Sequence, residues 1–243
     1  MIQIDIYPKR KEFEFLLDKY PPTLANKQLP DWYKKTKNLD KFKLLDRSKN
    51  NLHIKRCPAV KEEITNGIIL RAWSDIYFYK KENENYIYWE MEIGKVIQNF
   101  EWISSHNHQQ VDNLDLNEIN NFGVFKLNSP FYFKTTKGYG LEFKDVFYHH
   151  RRNIRLLPGM VENDIWHETN FPFEFYFDVN NEKPFKFMIK AGDPLLMIKP
   201  FKLKEKYKLK LNKYNSKFDE HQQNNQRFLL SLSENWNRYK NNL

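Results

Sequence analysis

The stretch Gly138–Phe201 constrains this chain more than any other. It reads GYGLEFKDVFYHHRRNIRLLPGMVENDIWHETNFPFEFYFDVNNEKPFKFMIKAGDPLLMIKPF, short runs of alternating apolar and polar residues punctuated by Gly, Pro, Asn and Asp. A period of two sends successive side chains to opposite faces of a pleated strand. The stretch therefore predicts several half-buried β-strands joined by tight turns. It also holds the densest polar constellation of the chain: His149, His150, Arg151 and Arg152, followed by Glu162, Asp164, His167 and Glu168.

The same alternation predicts strands elsewhere. Residues 2–7 (IQIDIY) read as a first strand, and 68–79 and 86–93 as a hairpin about a turn at 82–85. Residues 123–136 read as further strand, broken at Ser129-Pro130. Tyr20-Pro21-Pro22 cannot continue a helix or a central strand, so an irregular N-terminal arm is expected. Trp32 and Tyr33 would pin that arm to the body, with Asp31 as N-cap of a short WYKK turn. A short helix is expected at 61–66, closed by Gly67. Between Pro200 and Lys217 seven Lys face the single acid Glu205. The run KLKEKYKLKL reads as an exposed edge strand whose lysines oppose edge-to-edge pairing. Residues 218–240 read as a C-terminal helix with Phe228, Leu229, Leu232, Trp236 and Tyr239 on one stripe. The expected organisation is one mainly-β domain over 1–201, then a Lys-rich edge strand and helix over 202–243.

Composition narrows the chemistry. With 7 Gly in 243 residues, neither GxGxxG nor GxxxxGK[ST] occurs, which argues against Rossmann and P-loop nucleotide binding. Cys57 is the sole cysteine, excluding an intrachain disulfide and a cysteine-based zinc site. Lys55, Arg56 and His53 lie near it, but no nucleophile motif surrounds it, and it reads as a structural thiol. His106-x-His108, with Asp112, Asp115 and Glu118 beyond, has two imidazoles at strand spacing. The run is Asn/Gln-rich and lacks the glycines of a cupin metal motif, so a polar loop is expected and no metal. The net charge of +9 permits anion binding. Acids are interspersed through most of the chain and no RNP or helix-turn-helix pattern occurs, so nucleic acid is not expected as a specific partner. No apolar h-region opens the chain and no run approaches 18 apolar residues, so neither secretion nor a membrane span is expected.

Two resemblances attach to particular residues. The blocks Tyr20-Pro21-Pro22, Leu29-Pro30-Asp31-Trp32-Tyr33-Lys34-Lys35, Ile54-Lys55-Arg56-Cys57-Pro58 and Ala72-Trp73-Ser74-Asp75-Ile76 resemble a family of uncharacterised proteins of marine tailed phages and some bacteria. Lys134–Tyr139, Leu157–Val161, Asn170–Phe173, Lys190–Pro194 and Ile198–Phe201 continue that resemblance. It implies a phage setting and no assigned activity. Residues 130–201 resemble the β-clip barrel of dUTPases and dCTP deaminases. Lys137-Gly138-Tyr139 stands at the Gly-Tyr position, and Gly159-Met160-Val161-Glu162 stands at the Gly-x-[Ile/Val]-Asp position. Gly192-Asp193 then precedes a last apolar strand. The resemblance implies a β-clip core and, for an active member, Glu162 as water-activating base with Mg²⁺ as the cofactor of nucleotide hydrolysis. This sequence departs from the pattern in three places. No Pro-Arg-Ser-Ser lies between Tyr139 and Gly159, Ile165 replaces the deoxyribose-stacking aromatic, and Trp166-His167 replaces Arg-Gly.

Read together, these residues predict a phage accessory or virion-associated protein of the host cytoplasm or the particle. It would bind a phage protein partner or a small anionic ligand without catalysis or cofactor, and self-association is compatible with it. Candidate ligand contacts are His149, His150, Arg151, Arg152, His167 and Glu168, with Arg suited to a bidentate clamp. The alternative is a nucleotide-processing enzyme in which Glu162 and Asp164 are the catalytic carboxylates. Solvated histidines and arginines paired with nearby carboxylates would produce the same pattern with no site.

Overall fold

The period-two alternation folds into three antiparallel sheets. The computed structural model describes residues 2–36, 57–84, 87–105, 124–149, 153–175 and 184–211, with positions 216, 217, 220, 223 and 224 beyond them. In chain order the strands are β1 (Ile4–Pro8), β2 (Thr23–Leu24), β3 (Ile68–Arg71), β4 (Ile76–Lys80), β5 (Tyr88–Met91), β6 (Ile103–Ser105) and β7 (Val124–Thr135). They continue as β8 (Tyr139–Lys144), β9 (Ile154–Leu156), β10 (Gly159–Val161), β11 (Glu168–Phe175), β12 (Phe185–Ile189) and β13 (Pro194–Lys202). Short helices intervene: α1 (Glu14–Lys19), α2 (Asp31–Lys35), α3 (Pro58–Thr65) and α4 (Glu92–Val96). The first sheet runs β1-β7-β11-β9, with β6 also on β7; the second runs β10-β8-β13-β3-β2; the third runs β12-β4-β5. The chain divides into two units, residues 1–204 and 205–243, and all thirteen strands lie in the first.

One core joins the three sheets. Phe125, Leu127 and Phe133 of β7 and Phe171, Phe173 and Phe175 of β11 turn inward at alternate positions, as do Leu141 and Phe143 of β8. Phe133 meets Phe143 edge-on at 5.5 Å between centroids, tying the first sheet to the second. Phe78 of β4 lies 4.7 Å from Phe125, tying the third sheet to the first. Each such ring removed from water stabilises the fold by about 1.5–3 kcal/mol, which is why the alternation of Phe decides the register.

Several expectations need correction. Residues 68–79 are not one strand. The chain leaves the second sheet after Arg71, crosses through Ala72–Asp75, and enters the third sheet at Ile76. The turn at 190–193 makes the same crossing between β12 and β13 beside it. The two crossings are bonded together: the Ala72 N–H donates to Asp193 O at 2.8 Å and the Gly192 N–H to Ala72 O at 2.7 Å. The Ala191 N–H donates to Asp75 Oδ1 at 2.7 Å. Trp73 is buried in the crossing, so apolar spacing continues through it and hides the change of sheet.

Ser129-Pro130 does not break β7. It sits opposite a register shift between Glu168 and Asn170 of β11, where a residue without an N–H is tolerated. The buried Ser129 Oγ bonds the Phe131 N–H at 3.0 Å and Phe131 O at 3.1 Å. Residues 86–93 shorten to β5 and then turn into α4. The strand expected at residues 2–7 is present as β1, and the arm after it holds short helices and β2. β1 pairs with β7 from Ile4↔Thr135 to Pro8↔Phe131, and Phe13, Leu16 and Ala25 are fully buried. The Lys-rich run forms no strand over 203–211. Helical conformation is present at 216, 217, 220, 223 and 224, while the apolar stripe from Phe228 to Tyr239 lies outside the described residues. α3 begins with Pro58 at its first position, as helices favour. It ends at Thr65 with Asn66 as C-cap, and Gly67 follows with a φ of +131°, a conformation suited to glycine, where a Cβ would meet Ile198 O at 2.9 Å.

Among the described residues no helix is long and apolar enough to cross a membrane.

Candidate functional site

The site begins with a helix start. Pro30 occupies the N-cap position of α2 with φ −56° and ψ 144°, and Asp31 is the first helical residue rather than the cap. Its carboxylate stays exposed, 3.7 Å from Lys34 Nζ one turn on. Cap placement fixes the next residue: the Trp32 indole N–H donates to Tyr148 O at 2.8 Å, and the two rings lie 6.2 Å apart. Trp32 thus pins the N-terminal segment to the 3-10 turn Phe147–His149, as its size suggested. Beside it the Tyr33 ring packs edge-on at 5.5 Å.

Pinning leaves a cleft. About 360 Å³ of open space is bounded by Gln28–Trp32 and Lys34 on one side, Tyr148 and His149 on another, and Asp193 with Pro194 on the third. The Asp193 wall is rigid because Asp193 Oδ2 accepts from the Lys190 N–H at 3.2 Å and its carbonyl accepts from Ala72. The lining combines indole and phenol faces with an imidazole, an ammonium and two carboxylates, Asp31 and Asp193. Such a wall can stack a planar group and hydrogen-bond polar substituents around it. Three segments meet here, the first more than a hundred residues before the second and the second more than forty before the third.

No family model and no curated protein matches this chain.

The other predicted site residues lie elsewhere. His149 follows β8 beyond Lys144. Glu162 follows β10, whose Val161 pairs with Leu141 and whose Gly159 pairs with Phe143. The Glu162–His167 turn therefore sits past the Tyr139 end of β8, and His149 past the Lys144 end. Within one chain these two halves of the predicted pocket are separated by the length of that strand, about 20 Å at 3.3 Å per residue. His150, Arg151 and Arg152 lie outside the described residues, as do His106, His108, Asp112, Asp115 and Glu118.

Around Glu162 the geometry is that of a locked turn. Glu162 is exposed and its carbonyl accepts from the Ile165 N–H at 3.1 Å and the Trp166 N–H at 2.9 Å. Asp164 Oδ2 accepts from the Gly138 N–H at 2.9 Å, holding the tight β7–β8 turn, where Gly138 has φ +83°. The neighbouring Asn163 is fully buried and its amide donates to Trp166 O at 3.0 Å. His167 contributes its carbonyl to the Phe133 N–H at 2.9 Å. Its Nε2 and Asp164 Oδ1 are buried without a hydrogen-bond partner among the described residues. Glu168 pairs with Lys9 Nζ at 2.7 Å, and that ammonium also lies 5.5 Å from the Tyr132 ring. Ile165 and Trp166 project outward at 76% and 64% exposure.

Sequence reasoning missed one charged cluster. Lys144 Nζ reaches both oxygens of Glu63, at 2.6 and 2.8 Å, and Lys199 Nζ reaches Oε2 at 2.9 Å. Burial alone would push the Glu63 carboxyl up, but hydrogen bonds from Lys144 and Lys199 outweigh it and hold the group below its ordinary 4.5. Burial would likewise lower the Lys144 ammonium, and the bond to Glu63 reverses that and raises it. The triad fastens α3 to β8 and β13; nothing in local spacing links positions 63, 144 and 199. A larger hollow of about 620 Å³ lies on the third sheet beside Tyr77, Tyr79, Glu90 and Lys186. There the Tyr79 hydroxyl donates to Glu90 Oε1 at 2.9 Å, and that bond raises the phenol above its ordinary 10.0. Among the described residues no group of three or more His, Cys, Asp or Glu is placed to hold a metal.

Proposed function

We propose that this chain is a phage accessory or virion-associated protein that binds a phage protein partner or a small anionic ligand without hydrolysing it. The binding cleft in this reading is the one walled by Trp32, Tyr148 and His149. The supporting observation is the convergence there of three distant segments on an aromatic wall with Lys34 and His149 at its rim. The sequence runs on from His149 through His150 to Arg151 and Arg152, which gives the expected ligand its negative charge. The phage setting, in the host cytoplasm or the particle, rests on the sequence resemblance.

The enzyme reading keeps one specific support. Gly138-Tyr139 opens β8, Gly159–Glu162 holds β10 and Gly192-Asp193 precedes β13, and these three strands are neighbours in one sheet. In that reading Glu162 activates water and Mg²⁺ accompanies a nucleotide. The case for binding without hydrolysis is that Asp164 Oδ2 already holds the Gly138 N–H, and the Glu162 turn lies at the far end of β8 from His149.

Titration of the protein with inorganic phosphate and deoxynucleoside mono- and triphosphates, read by tryptophan fluorescence, tests the proposal. Binding should quench emission, and Trp32→Phe should remove most of that change. Release of pyrophosphate or ammonia from the same nucleotides, abolished by Glu162→Ala, would establish the enzyme instead. Mass spectrometry of purified particles separates a virion component from a protein confined to the infected cell.

A further inference from the structure

Beyond the cleft, the second unit opens with an anomaly. Lys206, Lys208 and Lys210 alternate with Tyr207, Leu209 and Leu211, and these three apolar side chains are 89%, 85% and 87% exposed. Residues 205–211 are neither helix nor strand. A helix would scatter the two residue types around its surface; only an extended strand sorts them, lysines to one face and apolar groups to the other. Three consecutive same-face apolar residues left in water mark an interaction segment. Its backbone, outside any ladder, can supply the hydrogen bonds of an added strand.

We propose that residues 205–211 are a docking strand that extends the third sheet of a second copy of this chain along the edge of β5. Charge selects that edge. A row of lysines opposes pairing of one such segment with another. It equally opposes β12, which carries Lys186 and is followed by Lys190. β2, β6, β9 and β10 are only two or three residues long. β1 ends in Pro8, whose nitrogen has no hydrogen to donate to an added strand. β5 remains. Among the described residues it pairs with β4 alone, and it carries Glu90 on the face of Tyr77 and Trp89 on the face of Phe78. Trp89 is 37% exposed although its face turns toward the core. A strand laid beside β5 would bring Lys208 to Glu90 and cover Trp89 with Tyr207 and Leu209, matching both faces at once.

Size-exclusion chromatography with light scattering on the full chain, from low to high micromolar concentration, tests this. The mass should rise to that of a dimer or larger assembly. Lys208→Glu and Glu90→Lys should each raise the apparent dissociation constant roughly tenfold through like-charge contact. Mixing the two variants should restore association, because each then offers the charge that the other lacks. Lys208 is exposed, so its variant does not disturb the fold, and circular dichroism checks Glu90→Lys. A chain monomeric at every concentration overturns the proposal. So does association indifferent to both substitutions, or a mixture that fails to reassociate. Sedimentation with phosphatidylserine vesicles by a chain that stays monomeric also overturns it, assigning the segment to a lipid surface.

Discussion

Asn163 shows how much a single polar side chain can hold. It is fully buried at the turn after β10, and its amide lies 3.0 Å from Trp166 O, 3.3 Å from Thr169 Oγ1 and 3.4 Å from Phe133 O. Alanine would remove the donor from Phe133 O and Thr169 Oγ1, whose bonds to it are buried, and from the part-buried Trp166 O. Asn163→Ala should lower the free energy of unfolding in urea by about 1–3 kcal/mol while leaving ligand affinity at the distant cleft unchanged. Glu63 acts through charge. Its pKa is lowered in the folded chain, so between the lowered value and the ordinary 4.5 the unfolded chain binds more protons. Its contribution is present above the ordinary value and disappears as pH falls through the lowered one. Acid unfolding followed by circular dichroism should show that slope, and Glu63→Gln should flatten it.

Among elements, the start of β8 joins two glycines with opposite demands, Gly138 in the turn before it and Gly140 within it. A Cβ at Gly138 would meet nothing within 4 Å, so only its φ of +83° resists substitution; at Gly140 it would meet Val161 O at 2.5 Å and the Phe201 ring at 2.7 Å. Gly140→Ala should therefore cost about 1–3 kcal/mol through forced displacement of β10. Gly138→Asn should cost less, since Asn tolerates that backbone region; both are read from thermal unfolding. Strand content was legible because burial on one face imposes a period of two, as in β7, β8 and β11. The division between sheets was not, since Trp73 keeps the apolar rhythm running through the crossing at Ala72–Asp75. Nor was the fate of the Lys-rich run: alternation states which faces a strand would have, and not whether a neighbour exists to pair with it.

At the scale of the whole molecule, the cleft depends on contacts between residues far apart in sequence. His149 stood out in its basic cluster, but Trp32 and Asp193, which line the cleft with it, are brought there by tertiary folding and carry no local signal of it. The paired carboxylates after Gly159 drew attention through resemblance, and the hydrogen bond from Gly138 to Asp164 shows a turn-fastening role that spacing alone does not distinguish from catalysis. His149→Ala should weaken binding of the best anionic ligand found by titration several-fold, and Glu162→Ala should leave it unchanged, as measured by calorimetry.

The pairing of β1 with β7 also places a demand on synthesis. Ile4 has Thr135 as its partner, and Ile68 of β3 has Ile198 of β13. At about 5–20 residues per second, the first strand waits on the order of ten seconds outside the ribosome before its neighbour exists. During that interval Ile4, Ile6 and the segment leading to Phe13 have no sheet to join. A nascent-chain arrest series, probed by protease, should find residues 2–20 cleavable until translation has passed position 135 by the length of the exit tunnel.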